Sequence, residues 1–125
     1  MKYLLDTHVI LWWLTDPKKL SSEAKRIIED REDLISVSSV SFWEMAIKQS
    51  LGKLSLPPNI LAILTKEGFE ILPIDAQECL SITALPLLHG DPFDRLLVVQ
   101  AKLRDLILIT RDEKISQYPV MTLQA

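Results

Sequence analysis

The chain has 125 residues, 48% of them hydrophobic, enough for one domain that buries a core without disulfides or structural metal. Its one cysteine, Cys79, excludes an internal disulfide, and no apolar run approaches the roughly 20 residues of a membrane-spanning helix, so a cytoplasmic protein with no membrane association is expected. The net charge of −3 argues against a generally basic nucleic-acid binder, although setting four of the 17 acids aside in a metal site leaves 13 facing 14 lysines and arginines.

Lys2-Tyr3-Leu4-Leu5 reads as a strand that stops at Asp6, and from Thr7 the spacing of Val9, Ile10, Trp12 and Trp13 is helical. Asp6 and His8 interrupt this apolar segment, so no secretory leader is expected. Asp16-Pro17 ends the helix, and Ser21-Ser22-Glu23 opens an amphipathic one through Ile27, Ile28 and Glu29. Leu34-Ile35-Ser36-Val37 is the next predicted strand. A serine-rich turn leads to a helix over Phe42–Lys48, closed by Gly52. Beyond Pro57-Pro58, Asn59 caps a helix to Glu67, and Phe69–Leu72 forms a third strand.

Asp75 and Glu78 form a capping box for a helix through Leu85, with Cys79 read as a buried thiol beside Leu80 and Ile82. After the loop Pro86–Gly90, Asp91 is the N-cap, Pro92 the first residue and Asp94 the N3 position of a helix ending near Arg104-Asp105. Leu106–Ile109 is continuous in large apolar residues, as expected of a strand buried on both faces, and ends at Thr110-Arg111-Asp112. A last strand fits Val120–Leu123. Strands alternating with helices indicate an α/β fold with a parallel sheet of about four or five strands and helices on both faces. With no repeat or linker, residues 1–125 read as a single domain.

Ligands of such sheets lie beyond the carboxyl ends of the strands, where strand order reverses. Asp6 and Asp112 both follow strands directly and should share that rim. Asp94 joins them if its helix also begins there; otherwise it is a capping residue. Glu44 is either the end of a capping box opened by Ser41 or, if the helix begins at Ser38 or Ser39, a carboxylate among apolar neighbours that needs a cation. Lys48, at i+4, is a structural partner available to it. Converging carboxylates repel unless a divalent cation compensates them, and oxygen-only ligands suit Mg²⁺ or Mn²⁺.

Four segments carry a family resemblance: Leu4-Leu5-Asp6-Thr7-His8-Val9, Ser38–Lys48 followed by Leu51-Gly52-Lys53-Leu54, His89-Gly90-Asp91-Pro92-Phe93-Asp94-Arg95, and Ile109-Thr110-Arg111-Asp112. In that order and spacing the chain resembles the PIN-domain family and within it the VapC-type toxins, the ribonuclease halves of toxin–antitoxin pairs. The resemblance implies a metal-dependent endoribonuclease that hydrolyses RNA phosphodiester bonds with a metal-activated water, a cognate antitoxin as partner and a homodimer. It implies Asp6, Glu44, Asp94 and Asp112 as Mg²⁺ or Mn²⁺ ligands and Thr110 as an active-site hydroxyl. Asp91 is a cap or an accessory acid. Arg95, Lys48, Arg111 and Lys53 are candidates to hold RNA phosphates, with solvated surface charge as the alternative. His8 belongs to the first helical turn, and His89 to a loop from which it could reach RNA.

Two other classes remain open. An acid-rimmed phosphatase or a receiver-type phosphoacceptor needs a second acid after the first strand, which Asp6-Thr7-His8 lacks; a non-enzymatic binding module would use the acids as caps and surface. Trp12, Trp13, Phe42 and Trp43 exceed what one small core needs, so some are expected at a homodimer face or in a groove for an antitoxin segment, with core packing as the competing role for any single one.

Overall fold

The computed structural model describes residues 1–125. Strands β1 (Lys2–Leu5), β2 (Leu34–Ser38), β3 (Glu70–Leu72), β4 (Ile107–Thr110) and β5 (Thr122–Gln124) form one sheet in the order β3-β2-β1-β4-β5. All four pairings are parallel, with Leu4 of β1 opposite Ser36 on one side and Leu108 on the other. The chain starts at the centre, winds out to β3, then returns to build the other half. The order reverses between β1 and β4, so their carboxyl ends frame the crevice expected of this topology.

Helices α1 (Thr7–Thr15), α2 (Ser22–Asp30), α3 (Ser39–Ser50), α4 (Ile60–Lys66), α5 (Ala76–Ser81), α6 (Pro92–Leu103) and α7 (Glu113–Ser116) complete the fold. Because successive strand side chains alternate, Tyr3, Leu5 and Ile109 pack with Val9 and Ile10 of α1, Ile27 and Ile28 of α2 and Leu64 of α4. Leu4 and Leu108 point to the other face, against Leu97 and Val98 of α6 and Ile115 of α7. Leu4, Leu5, Leu108 and Ile109 are wholly buried, each worth about 2 kcal/mol of apolar burial, which fixes the central strand pair. No helix is long and apolar enough to cross a membrane.

Several local expectations change. The third helix begins at Ser39, its N-cap Ser38 accepting from the Val40 N–H at 3.0 Å, so Glu44 lies past the first turn and the Ser41–Glu44 capping box does not form. Ser41 is buried and receives a hydrogen bond from the Thr7 hydroxyl at 2.9 Å. Cys79 is exposed, not buried: α5 turns Glu78 inward instead, where the Asp75–Glu78 capping box and Arg104 hold its carboxylate. That helix stops at Ser81 and continues as a 3₁₀ turn, Ile82–Ala84. The last two strands sit one or two residues later than expected, because β4 takes its register from Tyr3–Leu5 of β1 and β5 takes its register from Leu108–Thr110 of β4.

A buried polar link ties the helices that bear acids. Gln100 of α6 is fully buried, accepts from the Ser38 hydroxyl at the head of α3, and donates to the Pro73 carbonyl and the Glu78 carboxylate at 3.1 and 3.2 Å. Since α3 and α6 also pack directly, the starting points of both helices are fixed relative to the sheet.

Candidate active site

Asp6 follows β1 immediately and Asp112 comes two residues after the end of β4, so neighbouring strands deliver both to one rim. Between them stands Thr110, 1% exposed. Its hydroxyl donates to Asp6 Oδ2 at 2.8 Å and accepts from the Asp112 N–H at 3.0 Å. A single side chain thereby orients an acid on each of the two strands. Asp112 also caps α7 through Oδ1, which accepts from the Lys114 N–H at 2.8 Å.

Asp91 caps α6: its Oδ1 accepts from the N–H groups of Phe93 and Asp94 at 2.8 and 3.2 Å. With the cap supplied by Asp91, the Asp94 carboxylate is free for other contacts. It stands among Asp6, Asp91, Glu44 and Asp112, whose charges all act on it, so α6 does start at the rim of Asp6 and Asp112. Glu44 completes the group from α3. It is 3% exposed, and its Oε2 is paired with Lys48 Nζ at 2.8 Å.

The electrostatics of the cluster favour a cation. Burial and then the neighbouring acids push the Asp94 carboxyl up to about 8. Burial also raises Asp6, only partly offset by the Thr110 hydrogen bond and the nearby His8. Asp112 is desolvated too, yet hydrogen bonds from His89 and the Lys114 N–H bring it below its ordinary value. Asp6 Oδ1 and Glu44 Oε1 are buried with no hydrogen-bond partner. A buried carboxylate oxygen without a donor costs roughly 1–3 kcal/mol, and these two belong to an all-oxygen set of the kind hard divalent cations prefer. The residues present therefore fit Mg²⁺ or Mn²⁺.

His89, a loop residue by its sequence context, joins the acids of the rim. Its Nε2 lies 2.8 Å from Asp112 Oδ2 and 3.0 Å from Asp94 Oδ2, and the three atoms form a compact group. The signal available in the sequence was its place two residues before the N-cap, where the chain turns back over the first helical turn. His8, by contrast, lies in the first turn of α1, exposed, 5.9 Å from the Trp12 ring.

The cations differ in their placement. Arg95 donates from Nη2 to the carbonyls of Ile82 and Leu85, both at 3.3 Å, which anchors the 3₁₀ turn rather than facing the acids. Arg111 lies over the Trp12 ring, 4.4 Å from its centroid, and donates to the carbonyls of Lys19 and Ala125. With Asp6, His8, Trp12 and Asp112 it lines a cleft of about 270 Å³ that opens beside the acids. Lys48 reaches Glu44 as described, while Lys53 is exposed beyond α3. Trp43 is 56% exposed and meets Phe93 edge to face at 5.0 Å; Trp12, Trp13 and Phe42 pack against the core.

A family model described as the PIN domain matches residues 3–121. The chain belongs to the PIN domain family. This PIN domain is 29% identical over 118 residues to Ribonuclease VapC22 of Mycobacterium tuberculosis, a match covering 92% of this chain and 90% of that relative. Its fold is similar to that in the crystal structure of VapBC2 from Rickettsia felis bound to a DNA fragment from the promoter, with TM-score 0.72, 17% identity and 98% of each chain covered. It is also similar to that of DNA-bound VapBC from Salmonella typhimurium, with TM-score 0.69, 18% identity, and 99% of this chain and 97% of that one covered. The five-stranded parallel sheet between helices is thus the PIN fold, and it agrees with the parallel α/β sheet expected from the alternation of strands and helices.

Proposed function

We propose that this PIN domain is a Mg²⁺- or Mn²⁺-dependent endoribonuclease, the toxin half of a VapBC-type pair, and that residues 1–125 form its single nuclease domain. The observation that carries the reading is the pair of buried carboxylate oxygens without a donor, one each on Asp6 and Glu44, in the electrostatic neighbourhood of Asp94 and Asp112. The likeness to a relative named as a ribonuclease supports it.

Asp6, Glu44, Asp94 and Asp112 are the residues that would hold the ion or ions. When bound, Mg²⁺ or Mn²⁺ supplies the Lewis acidity that activates water and steadies the departing oxygen of a phosphodiester. The chain's own groups prepare that chemistry. Thr110 orients Asp6 and Asp112 from between the strands. Asp91 holds the first turn of α6 so that Asp94 need not cap it. Lys48 is the internal cation for Glu44, and Arg111, which lines the cleft beside Asp6 and Asp112, is the candidate of this reading for an RNA phosphate contact. With the four carboxylates assigned to the ion and the Thr110 hydroxyl committed to Asp6, the attack on phosphorus is assigned to water.

A cytoplasmic antitoxin and a homodimer belong to this reading. They are supported by the likeness to chains from VapBC complexes and by the exposed apolar surface at Trp43 and Leu51 of the α3 region. The decisive experiment incubates purified protein with RNA and Mn²⁺ or Mg²⁺. Cleavage by the wild type that disappears in Asp6→Asn and Asp94→Asn is expected; equal cleavage by the variants overturns the assignment.

A further inference from the structure

His89 lies on the loop that enters α6, with its side chain only 13% exposed. The loop is pinned from beneath: the buried Tyr118 hydroxyl accepts from the backbone N–H groups of Leu88 and His89 at 3.2 and 2.9 Å. The ring is then fixed at both nitrogens. Nδ1 accepts the Asp91 N–H at 3.1 Å, and Nε2 faces Asp112 Oδ2 at 2.8 Å with Asp94 Oδ2 at 3.0 Å.

These contacts determine the tautomer. A nitrogen that accepts a backbone N–H carries no proton, so in the neutral imidazole the proton belongs to Nε2. Nε2 is then a donor and has no lone pair to offer a metal. A ligating histidine shows the reverse pattern, with its outer nitrogen donating to a carbonyl or carboxylate; here the outer nitrogen meets an N–H.

We propose that His89 is a positioning residue of the acid cluster: its Nε2–H, set by the Asp91 N–H on the opposite nitrogen, holds Asp112 beside Asp94 so that two ligands of a divalent cation are assembled in advance, and the ring is not itself a ligand. The inference rests on the metal-site reading above. Its advantage is physical: the two carboxyl groups come from separate elements, α6 and the end of β4, so without a shared donor between them their spacing would have to be restored when the cation binds, which would weaken binding. Partners of this kind typically change metal affinity by about 10- to 100-fold when removed.

The test measures Mn²⁺ affinity calorimetrically on the full chain for wild type, His89→Ala and His89→Gln, with metal-free melts to verify folding. His89→Ala is expected to bind at least about tenfold more weakly, and His89→Gln, which can return an amide N–H toward the carboxylates, to recover most of the loss. Two measurements on the wild type need no variant. Nitrogen-15 spectra of the metal-free protein should find the neutral ring protonated at Nε2, and pulsed electron paramagnetic resonance of the Mn²⁺-loaded protein should show no imidazole nitrogen coupled to the ion. Wild-type affinity retained in His89→Ala, a proton on Nδ1, or a coupled imidazole nitrogen overturns the positioning role. A wild type that binds no Mn²⁺ removes the metal-site reading, and this inference with it; binding by the wild type that His89→Ala leaves unchanged removes this inference alone.

Discussion

The hydroxyl of Thr110 donates to one oxygen of Asp6 at 2.8 Å while the other oxygen of that carboxylate is buried with no partner at all. The pairing divides Asp6 into a structural oxygen and one left for a ligand. In Thr110→Val both oxygens lack protein side-chain donors, and the Asp112 N–H loses its acceptor. The metal-free protein should be destabilised by about 2 kcal/mol, visible in a thermal melt, with Mn²⁺ affinity reduced. Thr110→Ser should restore both.

Asp94 gives the pH dependence. Its carboxyl is ordinary in the unfolded chain and raised to about 8 in the fold, so the folded state holds the extra proton between those values. Stability of the metal-free protein should therefore fall as pH rises from about 4 to about 8, the direction required when the native state binds more protons. Metal binding displaces that proton, so Mn²⁺ affinity should climb by up to about tenfold per pH unit and level off above about pH 8. Calorimetry in buffers of different ionisation enthalpy would detect the released proton; pH-independent affinity between about 6 and 8 contradicts the assignment.

The same repulsion predicts a trade between stability and activity. Asp94→Asn removes one charge from a cluster of like charges, so its metal-free melting temperature should exceed that of wild type at about pH 8, while the stabilisation by Mn²⁺ and the RNA cleavage are both lost. For wild type, Mn²⁺ at about 100 times its dissociation constant should add about 2.7 kcal/mol. A melt raised equally by Mn²⁺ in wild type and Asp94→Asn would place the ion elsewhere.

Away from the site, Glu78 is 2% exposed and held by Arg104 at 2.6 Å and by Gln100 at 3.2 Å. Although burial opposes ionisation, these partners bring Glu78 below its ordinary value. The stability this contributes is present above about pH 4.5 and is lost as pH falls through the lowered value. Arg104→Met leaves a buried carboxylate without its cation and should cost about 3 kcal/mol. Because Gln100 also binds Ser38 at the head of α3, the variant is expected to loosen Glu44 and lower Mn²⁺ affinity; pairing it with Glu78→Leu should recover stability.

Much of this arrangement is legible in the residues. An apolar strand ending in an acid is a local signal, and polar–apolar alternation is unnecessary where both faces of the sheet are buried, so Asp6 and Asp112 could be placed on one rim from the chain alone. Glu44 could not, because Ser41 and Ser38 offered competing helix starts, and what decides between them is the Ser38 cap on Val40 together with the Thr7 hydrogen bond that buries Ser41. The rim occupied by Asp94 depends on where a loop delivers α6, which the family resemblance supplied and local pattern did not. His89 was out of reach because its partners, Asp94 and Asp112, meet only when α6 and β4 pack. Cys79 misled for a simpler reason: on a six-residue helix with a buried Glu78, apolar neighbours do not define the inner face.

The central position of β1, paired with β4 from the far end of the chain, also governs when this protein can become active. During synthesis Asp6 emerges early, but its neighbouring strand and the acid that follows it come more than a hundred residues later. Ribosomal elongation at roughly 5–20 residues per second makes that an interval of about 5 to 20 seconds. Until β4 inserts, Asp112 cannot reach the rim that Asp6 occupies. On the function proposed above, a growing chain would hold no assembled nuclease site, and inhibition would be needed only once β4 is in place.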